Sequence, residues 1–179
     1  MKTKILVLAA AILAMVFITA CGKTPEVHIS VEYPLGSVPI TITTPEEFQS
    51  NLSRWAGHLE EMAIDTTNHF DRWEKGEISQ EEFTAEAVRI NETMIMLKRE
   101  SDLRTEYDLN PTPDEQQYYD QVLDYYDSAK KSLNDFLVLA VSSDLTADQT
   151  AQLMSLYASR VLVEFDDNLG MLKDSLARR

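Results

Sequence analysis

Thr44-Pro45-Glu46-Glu47-Phe48 is the stretch on which the fold turns. A Thr followed three residues later by Glu is a capping box. The hydroxyl accepts from a backbone N–H in the first helical turn, and the carboxylate returns to the N–H of the cap itself. Pro at the first helical position has its φ already set and no N–H left to satisfy. The device recurs at Ser79-Gln80-Glu81-Glu82, at Thr112-Pro113-Asp114-Glu115 and, with Gln as the returning group, at Thr146-Ala147-Asp148-Gln149. Ile78 and Phe83 add a hydrophobic staple to the second box. The four starts lie 33 to 35 residues apart, and each opens an apolar stripe.

The stripes step by threes and fours, as the seam of a bundle does. The first runs Phe48, Leu52, Trp55, Leu59, Met62, Thr66, His69 or Phe70, and Trp73, and stops at Gly76, placed for a left-handed cap. The second runs Phe83, Ala87, Ile90, Met94 and Leu97, then drifts to Leu103 and Tyr107 before Asn110-Pro111. The third holds Tyr119, Val122, Tyr126, Ala129, Leu133, Phe136 and Ala140. The fourth holds Ala151, Met154, Ala158, Val161, Phe165, Leu169, Leu172 and Leu176. Helices are expected at about 45–75, 80–108, 113–142 and 147–178, each roughly 45 Å long at 1.5 Å per residue. Short connections force neighbours antiparallel. The expected fold is all-α: an antiparallel up-down-up-down four-helix bundle over 45–179, preceded by an extended, β-like arm.

That arm covers residues 21–44. Val27, Ile29, Val31 and Tyr33 alternate with polar residues, as do Val38, Ile40 and Ile42. This is strand patterning, and Pro34-Leu35-Gly36-Ser37 supplies turn chemistry between the two runs. A lone hairpin is marginal in water, so the segment either docks on the helices or serves as a tether with local extended structure.

Residues 1–20 read as an export signal. Lys2 and Lys4 precede an unbroken apolar run from Ile5 to Phe17, and small residues follow. The run is short for a membrane-spanning helix. Ile18-Thr19-Ala20-Cys21 resembles the lipobox of bacterial lipoproteins, and Cys21 is the only cysteine of the 179 residues. The resemblance implies a diacylglyceryl thioether on Cys21, cleavage before it, and fatty-acyl chains such as palmitate on the new terminus. It implies an extracytoplasmic protein held on the cell membrane or the outer membrane by lipid. An uncleaved N-terminal anchor, or plain secretion with a stray cysteine, are the competing readings. Two or more acyl chains anchor stably, where one is marginal.

The chain carries 16 basic and 30 acidic side chains, a net charge of −14. Lys2 and Lys4 would leave with the signal, so the mature chain would hold 14 against 30, or −16 over 159 residues. Such a surface repels nucleic-acid phosphates and anionic headgroups alike, so the lipid alone must anchor it. The single cysteine excludes an internal disulfide framework and a thiolate zinc cluster.

Catalytic and cofactor signals are sparse. No Glu-x-x-His pair stands on any stripe: Trp55 precedes His58 by three, and Thr66 precedes His69. Met62 with a His as haem ligands is outweighed by the use of Met as core filler. No nucleophile elbow or phosphate-cradling glycine loop is present. No cofactor, no metal and no enzymatic activity are expected. Two binding surfaces are. Tyr118 and Tyr125, interleaved with Asp120, Asp124 and Asp127, form a candidate face for an envelope protein partner. Trp55, Met62, His69 and Trp73 form a candidate small-ligand cavity, with His69 as its polar member.

Overall fold

A computed structural model describes residues 39–142 and 144–178. The signal, Cys21 and the first run of the arm, Val27 to Tyr33, lie outside the described residues. Those described are mostly helical, with one small parallel sheet. In chain order they form β1 (Ile40–Ile42), α1 (Pro45–Glu74), α2 (Gln80–Lys98), a π-helical turn π1 (Arg99–Leu103), β2 (Thr105–Tyr107), α3 (Pro113–Ala140), α4 (Ala147–Leu156), a π-helical stretch π2 (Tyr157–Phe165) and α5 (Asp166–Ala177). α2 runs on into π1, and α4, π2 and α5 run end to end, so there are four helical rods.

All four capping boxes form. Thr44, Ser79, Thr112 and Thr146 each accept from the backbone three residues on, and Glu47, Glu82, Glu115 and Gln149 return to the cap. α1 ends in a Schellman motif: Glu77 N donates to the Arg72 carbonyl at 2.8 Å and Gly76 N to that of Trp73 at 2.9 Å. Gly76 sits at φ 70°, and a Cβ there would meet nothing within 4 Å, so its role is conformational and not steric.

α1 packs on α2, α3 and α5, and α3 packs on α2, π2 and α5. Named contacts tie the rod ends. Trp73 near the end of α1 stacks on Phe83 near the start of α2, with ring centroids 4.8 Å apart. Thr84 Oγ1 donates to the Ser142 carbonyl just past α3, at 3.3 Å. Gln49 Nε2 donates to the Leu176 carbonyl at 2.6 Å, and the Tyr118 hydroxyl to that of Ser175 at 3.4 Å. The core takes Phe48, Leu52, Trp55, Leu59, Met62 and Phe70 from α1, and all the expected stripe residues of α2 and α3 up to Leu97 and Ala140. Phe70, not His69, fills the seam position of α1.

Three expectations change. The second helix does not reach 108. It ends through π1, and Thr105–Tyr107 then pairs in parallel with Ile40–Ile42, in the register Ile40 to Thr105 and Ile42 to Tyr107. Leu103 is 79 % exposed, while Glu100 and Ser101 turn inward. The cause is polar: Glu100 is drawn to Trp55 and Arg54, as described below, and the wider π turn delivers it. The second change concerns the arm. Ile40–Ile42 docks on β2, with Ile42 wholly buried, so this strand has a long-range partner.

The third change is the stripe of the last rod. Ala151, Met154 and Ala158 face outward; Leu153 and Tyr157 are buried with Val161, Phe165 and Leu169. These five recur every four residues. In an α-helix four residues overshoot a full turn by about 40°, so such a stripe would wind off the core. The i→i+5 bonding of π2 widens the turn and holds every fourth residue inward. The three-residue step from Leu169 to Leu172 returns once α5 resumes.

Leu153→Ala should therefore destabilise the domain by about 2–5 kcal/mol, whereas Met154→Ala on the outward side should shift it by no more than about 0.5 kcal/mol. Urea unfolding followed by circular dichroism distinguishes the two; equal costs would restore the α-helical stripe.

Candidate functional site

The polar interior lies where α2 passes into π1 and β2. Glu100 accepts from the Trp55 indole N–H at 2.8 Å and from the Arg54 guanidinium. Burial alone would raise the Glu100 carboxyl. The hydrogen bonds from Trp55 and Arg54, then the charges of Arg54 and His58, more than reverse this and hold it below the usual range. Thr105 Oγ1 closes the turn on the Glu100 carbonyl at 2.9 Å.

One turn along stands a buried cation. Lys130 of α3 is only 6 % exposed. Its ammonium meets Asp102 at 2.5 Å, Asp127 at 2.8 Å and Ser101 Oγ at 3.5 Å, and lies 4.7 Å from the centre of the Tyr126 ring. Ser101 spends its own proton on Asp102. A buried charge persists only when paired, and these two carboxylates pair it. Tyr126 is 1 % exposed, and its hydroxyl has no hydrogen-bond partner within 3.5 Å among the described residues. Burial pushes its pKa far up; Ser101 opposes the rise, and Asp102, Asp127 and Tyr107 add to it. Tyr107, at the mouth, is pushed up to about 12 by burial and then by Asp127 and Asp102. Ser101, Asp102, Tyr107, Tyr126, Asp127 and Lys130 surround a cavity of about 410 Å³.

A second concavity, about 500 Å³, runs between α1 and the π2–α5 stretch. Its walls include Ala63, Val161 and Phe165, with Ile64 and Leu162 at 54 % and 52 % exposure. Glu60 and Asp166 stand on its rim, and Glu60 pairs with Lys173 at 2.6 Å.

The four residues expected to share a ligand cavity do not meet. Trp55 and Trp73 are eighteen residues apart on one helix, or about 27 Å. Trp55 and Met62 are core, Trp73 is stacked on Phe83, and His69 Nδ1 donates to the Asp65 carbonyl of its own helix at 2.7 Å. None of the four lines either concavity. The tyrosine face is formed as spaced: Tyr119 and Tyr126 are buried, Tyr118 and Tyr125 half-buried, Asp120 and Asp124 exposed. Its polar groups are largely engaged. Tyr125 accepts from Gln121, Asp120 from Gln116, and Asp127 turns to Lys130. Sequence reasoning passed over Lys130, Ser101 and Glu100. The one available signal was Lys130 itself, set between the seam residues Ala129 and Leu133, one turn after Tyr126 and Asp127. Among the described residues no group of three or more His, Cys, Asp or Glu is placed to hold a metal ion.

Two outcomes follow from this geometry. Tyr126→Phe removes a buried hydroxyl that lacks a partner, so thermal unfolding should show no loss and a gain of about 1 kcal/mol. Glu100 carries a folded-state pKa below its unfolded value, so its contribution is present above the ordinary carboxylate range and is lost as pH falls through the lowered pKa. Stability should drop with acidification below about pH 4, and Glu100→Gln should flatten part of that slope in a pH series of melting curves. Compared with family models, with curated proteins and with solved structures, the chain matches none.

Proposed function

We propose that this chain is a lipid-anchored bacterial envelope protein, and that its helical domain is an up-down-up-down four-helix bundle that acts by binding a protein partner, without catalysis. The carrying observation is the lipobox Ile18-Thr19-Ala20-Cys21, which puts the only cysteine where the anchor belongs. The contacts of rod ends support the bundle: the second turns of α1 and α3 bond to the last turn of α5, and the start of α2 to Ser142 just past α3. Among the described residues no helix is long and apolar enough to cross a membrane.

The contact surface in this reading is the groove between α1 and π2. Exposed Ile64 and Leu162 offer apolar area, and Asp166 on the rim favours a partner whose apolar side chain carries a basic neighbour. Tyr118 and Tyr125, with Asp120 and Asp124, form a second face whose hydroxyls are already engaged.

Cys21→Ser should abolish incorporation of labelled palmitate and move the protein from the membrane to the soluble fraction; retention on membranes would sink the anchor. In cells expressing the anchored protein, Leu162→Lys should remove envelope cross-links that Tyr118→Ala/Tyr125→Ala leaves in place. The opposite pattern would move the contact to α3.

A further inference from the structure

α2 carries a second stripe, on the side turned away from the core. The inward side is Phe83, Ala87, Ile90, Met94 and Leu97. The outward side of α2 and π1 carries Ala85, Val88, Glu92, Ile95 and Arg99, again in steps of three and four, and all five are exposed. Leu103, four residues on in π1, extends the stripe at 79 % exposure, and Ile95 stands at 49 %. Such spacing is what a helix uses against another helix, and α1 and α3 already occupy the opposite side of α2.

The two charges on the stripe select what covers it. Among the described residues neither Glu92 nor Arg99 meets an opposite charge within 4 Å. They lie two turns apart, one negative and one positive. A basic partner would pair Glu92 and repel Arg99, and an acidic one would do the reverse. The same stripe run antiparallel satisfies both. A two-fold axis midway between the two residues places Glu92 of each copy opposite Arg99 of the other. That axis passes beside Ile95, so Ile95 packs on its own copy, and Val88 comes level with Leu103 of the other chain. Apolar groups and charges thus match in one register. The stripe has no net charge in a chain of −14, so the contact itself brings no surplus of like charge together.

We propose that this face of α2 is a contact between two copies of the chain, paired antiparallel, with Ile95 on the two-fold axis and a Glu92–Arg99 ion pair on each side. The face is distinct from the groove between α1 and π2, and the pairing stands whether or not the chain is lipidated. One helix pair is a small contact, so the dimer is weak and exchanges readily.

The test is made in cells producing the full-length chain, with a short thiol cross-linker and gel separation. The wild type, whose only cysteine is Cys21, sets the background. Ile95→Cys should give a dimer band well above it. Val88→Cys, on the same face, should stay at background, because antiparallel pairing holds the two 88 positions about 22 Å apart along the axis. Within the Ile95→Cys chain, Glu92→Arg sets like charges together on both sides and should cut the band about tenfold, as should Arg99→Glu. Glu92→Arg/Arg99→Glu restores opposite pairs and should return the band to within about twofold of its starting yield. All these positions face water, so melting temperatures should match the wild type, which separates lost pairing from lost folding. The proposal is overturned if Ile95→Cys stays at background or if Val88→Cys cross-links as well as Ile95→Cys. Failure of the double reversal to restore the band, or cross-linking of Ile95→Cys to a different protein in place of a second copy, would overturn it too.

Discussion

A carboxylate inside the fold organises one whole end of this molecule. Glu100 leaves water at the point where α2 runs out, and an isolated buried carboxylate is prohibitively costly. Trp55 and Arg54, neighbours on α1, compensate it from one side. To reach them the chain abandons α-helical spacing for a π turn, and the consequences spread from there. Ser101 and Asp102 swing toward Lys130, Thr105 locks the turn, and the next three residues are delivered in register beside Ile40–Ile42. Replacing the Glu100–Trp55 bond by an ordinary apolar contact would leave α2 free to continue, as its capping and pattern suggest. The small sheet, the buried lysine and the cavity beside it all lie within a few residues of that ionised group.

What could be read in advance was what local rules control. A capping box is a four-residue event, so Thr44, Ser79, Thr112 and Thr146 announced their helices without knowledge of anything distant. The seams of α1 to α3 followed because 3.6-residue periodicity holds there. The last rod defeats that assumption. Leu153 and Tyr157 lie inward only because π2 changes the residues per turn, and no local signal in Tyr157 to Phe165 marks the change. The polar interior was hidden for another reason. Glu100 and Lys130 read as surface charges, and only tertiary pairing keeps them inside. The ligand cavity expected from Trp55 to Trp73 failed on arithmetic available from the start: a seam places residues on one face, but not at one height.

The two concavities differ in chemistry, and the difference tracks the two π segments. At π1 the wider turn brings polar groups inward and creates a small charged chamber at the sheet. At π2 it keeps a four-residue stripe buried and leaves Leu162 and Val163 out in solvent beside a long apolar groove. One departure from α-geometry thus generates a polar interior and the other an apolar exterior.

The parallel pairing of β1 with β2 has a mechanical meaning. β1 is where the described chain enters the domain, so any tension from residues before it arrives along that strand. A pull along a strand loads its inter-strand hydrogen bonds in shear and stresses them together instead of one after another. Ile40 N to the Arg104 carbonyl and Asp108 N to the Ile42 carbonyl bracket the pairing, and the buried Ile42 side chain adds a plug that must also be withdrawn. A pull on the leading segment would therefore meet these three residues of sheet before it reached the capped start of α1.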